Sequence, residues 1–163
     1  MNTHTLIRGR VLAAALLLVA GAASAGTASV TFSHPELFAD LPRDASNREQ
    51  VLADLSEHFG ALAAKLPAGQ DMKVEVSDVD LAGRSWPGMW GTRELRVLEG
   101  GADWPHIKFH YTITQDGKVV KSGDEIVQSM DYLMRLNRYS TGDSLRYEKQ
   151  MLDTWFKTLT AVR

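Results

Sequence analysis

Trp104-Pro-His-Ile-Lys-Phe-His-Tyr-Thr-Ile-Thr-Gln-Asp-Gly-Lys-Val-Val-Lys-Ser-Gly-Asp-Glu-Ile-Val127 is the stretch that sets the fold class. Ile107, Phe109, Tyr111 and Ile113 alternate with His106, Lys108, His110, Thr112 and Thr114, the period-two signature of a half-buried strand. Asp116-Gly117 follows, a pair suited to a tight hairpin whose two central residues need positive φ. Lys118 to Val127 then returns as the partner strand, although Val119 and Val120 fall on opposite faces and blur its buried side.

Working towards the N-terminus, Glu94 to Leu98 reads as a further strand, closed by Gly100-Gly101. Met72, Val74 and Val76 alternate with charged residues, and the apolar phase then shifts to Val79 and Leu81. A phase change inside one strand predicts a bulge near Ser77-Asp78. Between these strands, Gly83 to Thr92 is a Gly- and Pro-containing loop carrying Trp86 and Trp90. Leu52, Leu55, Phe59, Leu62 and Leu66 form one helical stripe. Ser46 and Glu49 are expected to cap that helix reciprocally, and Pro67 and Gly69 to end it. Thr27 to Ser33 alternates as one more strand, stopped at His34-Pro35.

Towards the C-terminus, Ser129 to Gly142 shows no clear period. Leu145, Leu152, Trp155, Leu159 and Val162 describe a closing helix capped by Asp143 or Ser144. The elements do not alternate strand, helix, strand, helix. The expectation is therefore an α+β domain: an antiparallel sheet of four or five strands, with two main helices packed on one face. No repeat or long linker divides residues 26–163.

Residues 1–25 read as a secretion signal. Arg8 and Arg10 precede an apolar run from Val11 to Ala20, and Ala23-Ser24-Ala25 offers a cleavage site. A run of about ten apolar residues falls short of the roughly 20 that span a bilayer. Cleavage would leave residues 26–163 as a single domain in the periplasm, with no membrane attachment. Loss of the two arginines takes a chain with 18 basic and 20 acidic residues further to the acidic side, which disfavours nucleic acid. Cysteine is absent, so thiol nucleophiles, cysteine-held metals and covalent haem are excluded. No Gly-x-Ser-x-Gly elbow, Ser-x-x-Lys set or glycine-rich phosphate loop is present, and no cofactor is expected.

Several motifs then occur together in order: Val76-Ser77-Asp78-Val79-Asp80-Leu81-Ala82-Gly83, Trp104-Pro105, Lys121-Ser122-Gly123-Asp124-Glu125, Met130-Asp131-Tyr132-Leu133 and Leu145-Arg146-Tyr147-Glu148-Lys149. In these the chain resembles the domain of unknown function 3016 family, short exported proteins of Gram-negative bacteria. The resemblance implies a periplasmic address and one domain. It implies no activity and no catalytic residue.

Five residues stand out as site candidates. Asp78 and Asp80 share a strand face about 7 Å apart. That spacing suits acid–base chemistry or two oxygen ligands for a hard cation. The plainer role, and the favoured one, is accepting backbone bonds from the turn at Leu81 to Arg84. Trp86 and Trp90 can stack on sugar rings or anchor a protein partner, or fold back over the core. Glu148 lies on the apolar stripe of the last helix, where an internal ion pair with Arg96, Arg135 or Arg138 explains it better than catalysis. His106 and His110 are four apart, but on a strand that is about 13 Å, too far for one ion.

The first functional expectation is a non-enzymatic periplasmic domain binding an envelope protein or glycan through the tryptophan loop and polar sheet face. The alternatives are a small envelope hydrolase using the carboxylate pair, assisted by Glu148 or His106, and a divalent-cation-binding domain.

Overall fold

The structure is a computed structural model describing residues 26–86 and 95–161. Residues 1–25, expected to be a secretion signal, and Trp90 lie outside the described residues. In chain order the elements are β1 (Ala28–Phe32), α1 (Ala45–Ala63), β2 (Gln70–Asp80), β3 (Arg84–Trp86), β4 (Leu95–Val97), β5 (His106–Gln115), β6 (Lys118–Gln128) and α2 (Arg146–Ala161). A single 3-10 turn, Pro35–Leu37, follows β1. The class is α+β, as expected.

The main sheet has four strands in the order β1-β2-β5-β6, and β3 and β4 form a separate two-stranded ribbon. The sheet is mixed rather than antiparallel, because β1 pairs parallel to β2. The reason is connectivity. Parallel neighbours need a long crossover, and α1, 19 residues long, supplies it between them. The stretch expected as a third strand does form β4, but it pairs with β3, inside the segment expected to be loop.

Local signals elsewhere hold. The β2–β5 register shifts between Val76 and Asp78, so the bulge lies where the apolar phase changes. Asp116 and Gly117 take φ of 52° and 76°, the geometry of a two-residue hairpin turn. The α1 cap differs: Asp44 is the N-cap and accepts the Asn47 amide at 2.9 Å. The helix starts just ahead of Ser46, and a carboxylate satisfies a free amide as well as a hydroxyl does. Ahead of α2, Asp143 accepts the Leu145 amide at 2.9 Å and the Lys149 ammonium at 2.7 Å.

The core is built where the periodicities meet. Leu55, Phe59 and Leu62 of α1, Val74 and Val76 of β2, Ile107 and Phe109 of β5, and Leu152 and Trp155 of α2 belong to one buried cluster. Phe109 receives the ring of Phe59 at 5.5 Å and that of Trp155 at 4.9 Å, both edge to face. Lys121 of β6 donates to the Leu159 carbonyl at 2.6 Å, placing a cation on the free carbonyls ending α2. With no cysteine in the chain, such packing and hydrogen bonding carry the stability.

Candidate functional site

The bulge in β2 sets the site. Before it the even-numbered residues Met72, Val74 and Val76 are buried; after it Val79 is. Asp78 and Asp80 are thereby turned onto the polar side of the sheet, facing Lys108 and His106 in register. Their roles then diverge. One Asp78 oxygen accepts the Ala39 amide at 2.9 Å and the other meets Lys108 Nζ at 3.1 Å. Burial opposes ionisation of Asp78, yet the Ala39 amide and the Lys108 ammonium outweigh it and hold the carboxyl below the usual range. Asp80 lies 3.5 Å from His106 Nδ1. Burial pushes its carboxyl up and the neighbouring Asp40 and Asp78 add to this, against the pull of His106 and Arg96.

The expectation that these aspartates cap the turn from Leu81 to Arg84 is therefore corrected. Their partners are Ala39, Lys108 and His106. The segment after the 3-10 turn lies along β2, where Asp40 bridges to Asp80, and so brings Ala39 within reach. Asp40 carries its own cation: Arg96 Nη1 donates to it at 2.7 Å and lies near the Ala82 and Gly83 carbonyls. His106 and His110 diverge as expected, His110 Nδ1 meeting Asp124 at 2.8 Å. Among the described residues no group of three or more His, Asp or Glu side chains could hold a metal ion.

A polar cleft of about 710 Å³ opens at this end of the molecule. Asp40, Asp80, Arg43, Arg84 and Ser85 line it, with Phe38 as an apolar wall; Asp78 does not reach it. Arg48 also lines the cleft, with Nη1 at 3.3 Å from the Pro42 and Arg43 carbonyls. Trp86 comes two residues after Arg84 on β3, on the same strand face, and is 53% exposed. It does not fold back over the core. The cleft's far side is braced by Asp103, which accepts the Glu99 and Gly100 amides and the Tyr132 hydroxyl. Burial and that carboxylate push the Tyr132 phenol up to about 12.

Glu148 is placed differently from expectation. It is buried and, among the described residues, forms no ion pair within 4 Å; Oε1 accepts the Ala82 amide at 2.7 Å and Oε2 meets no partner among them. Burial pushes its carboxyl up, with the Ala82 amide and the more distant Arg96 acting against this. Arg135 is held by Asp131 and Arg138 by Asp153, which leaves neither for Glu148.

The sequence reading missed one buried polar cluster. Asp153 of α2 accepts from Arg138 and from the Tyr139 hydroxyl, and lies 3.4 Å from His58 Nε2. His58 also meets the Lys149 carbonyl at 3.1 Å, so it ties α1 to α2. Its position was readable: His58 falls three residues after Leu55 and four before Leu62, inside the apolar stripe. Its partner, 95 positions away, was not.

No curated protein and no solved structure matches this chain. A family model matches residues 26–158. Together with the ordered motifs this shows that the chain belongs to the family described as Protein of unknown function (DUF3016).

Proposed function

We propose that this chain is an exported, non-enzymatic periplasmic domain that binds a polar component of the cell envelope in the cleft beside Asp80. The cleft carries the reading: opposite charges from Asp40, Asp80, Arg43 and Arg84 line one concavity, and exposed Trp86 stands on the strand face that presents Arg84. Donors and acceptors beside an aromatic face suit a glycan or peptide rich in hydroxyls, amides and charged groups. The leader-like residues 1–25 support export. Binding is favoured over hydrolysis because the carboxylates expected to act in hydrolysis do not converge: Asp78 is engaged by Ala39 and Lys108, and Glu148 by the Ala82 amide.

Soluble peptidoglycan fragments are the first probe, titrated into the purified protein while backbone amide shifts are followed. Saturable shifts at Asp40, Asp80 and Arg84, weakened roughly tenfold or more in Arg84→Ala and Trp86→Ala, are expected. Shifts that are absent, or equal in wild type and variants, would refute the reading. Recovery of the protein from the periplasmic fraction with Gly26 at its N-terminus tests the export half.

A further inference from the structure

β6 is the outermost strand of the main sheet, and no strand among the described residues pairs with its outer side. Eleven residues of open edge are a template for pairing with another chain. A register shift places a bulge at Val119 to Lys121, which leaves Lys121 to Gln128 regular. Val119, Val120 and Ile126 on this strand are 62%, 52% and 64% exposed. A solvated edge gains nothing from three exposed β-branched apolar side chains.

The edge is complementary to itself. Two antiparallel copies keep their outward-bonding residues in phase only when paired residue numbers sum to an even number. Centred on Gly123, Lys121 of each copy lies opposite Glu125 of the other and Ser122 opposite Asp124, and the bulge residue Val120 falls beside Ile126. Centring on Ser122 sets Val120 against Asp124, and centring on Asp124 sets the two Asp124 carboxylates against each other. Only the Gly123 register joins opposite charges and joins apolar to apolar. Lys121 gives one donor to the Leu159 carbonyl and keeps others for Glu125 of the second copy.

A second feature lies beside the same edge. A groove of about 440 Å³ between β6 and α2 is lined by Glu125, Val127, Met130 and Trp155. Trp155 Nε1 is buried with no acceptor among the described residues. Strand pairing in this register would bring Lys121 of the second copy next to Glu125, along the groove.

We propose that two copies of this chain pair through β6, antiparallel about Gly123, joining two four-stranded sheets into one. The test is sedimentation of the purified protein over a wide concentration range, with Ile126→Lys as the variant. Ile126 is outside the core cluster, so the variant keeps its melting temperature. It should weaken the dimer roughly tenfold, since the two-fold axis doubles the loss of the Val120–Ile126 pair. Register is read separately by disulfide formation, free of competing thiols because the chain has no cysteine. Ser122→Cys mixed with Asp124→Cys should cross-link, and neither should cross-link with itself. A monomer at all concentrations, a dimer unaffected by Ile126→Lys, or self-linking of either cysteine variant overturns the proposal.

Discussion

Glu148 on α2 holds the Ala82 amide on one oxygen at 2.7 Å and buries the other, Oε2, with no partner among the described residues. The first oxygen ties the last helix to the turn that leads into the cleft. The second makes the charged form costly, which is why burial raises the pKa of the group.

That arrangement predicts a pH dependence. Glu148 binds its proton more tightly folded than unfolded, so stability falls as pH rises from the ordinary glutamate range through the raised folded value. Glu148→Gln keeps an acceptor for Ala82 and removes the charge. It should match wild type near pH 4 and exceed it by about 1–3 kcal/mol at pH 8. Glu148→Ala should instead be destabilised at both pH values, by about 1–3 kcal/mol or more, because the Ala82 amide loses its acceptor. Urea unfolding at the two pH values checks both.

The cluster around Asp153 predicts the opposite slope. Burial pushes the His58 imidazole down, against the pull of Asp153. The unfolded chain therefore binds more protons as pH falls below the ordinary histidine range, and stability drops in that window. His58→Gln should flatten this acid limb in thermal melts from pH 7 to 5. Asp153→Ala should cost about 3–5 kcal/mol, because Arg138, Tyr139 and His58 lose a shared buried acceptor. Burial and the bond to Asp153 also push the Tyr139 phenol up to about 12, and ultraviolet titration should find it lowered in that variant.

Gly83 predicts a steric limit on the same turn. Its φ is +83°, and a Cβ there would lie 2.4 Å from the Val97 carbonyl oxygen, which belongs to β4. Gly117 has a similar φ but open space around it. Gly117→Ala should lose about 1 kcal/mol, and Gly83→Ala distinctly more, because the backbone of β4 must move as well. Denaturant midpoints of the two variants make the comparison.

Asp78 and Asp80 should separate stability from binding. Asp78→Ala removes the acceptor of the Ala39 amide and should cost about 1–2 kcal/mol, with little change in affinity for envelope fragments. Asp80→Ala removes a cleft wall residue whose ionisation burial opposes. It should weaken binding and leave unfolding nearly unchanged. Loss of affinity in Asp78→Ala with none in Asp80→Ala would contradict the cleft reading.

Much of the fold was legible because its signals are local. The alternation from Ile107 to Ile113, the Asp116-Gly117 turn, the phase change at Ser77-Asp78 and the stripe from Leu55 to Leu62 each report a backbone period or a φ requirement over a few residues. The α1 cap slipped by two positions because Asp44 and Ser46 both have side chains that can accept, and the energies differ little.

The site was less legible. Asp80 was singled out for its spacing from Asp78, Trp86 as a loop aromatic and Glu148 as an acid on an apolar stripe, and each is unusual in the structure: a half-buried acid, an exposed aromatic, a buried acid. Their partners could not be read, because Ala39 reaches Asp78 across 39 residues, Ala82 reaches Glu148 across 66, and His58 meets Asp153 across 95.

Side-chain order alone was enough to place β1, β2, β5, β6 and the two helices and to mark their main apolar stripes, since each follows from hydrophobic spacing along a short segment. Folding in three dimensions settled the parallel pairing of β1 with β2, the β3–β4 ribbon and the partners of every buried charge. Those depend on which distant segments lie side by side, and a hydrogen bond between them leaves no periodic trace in either.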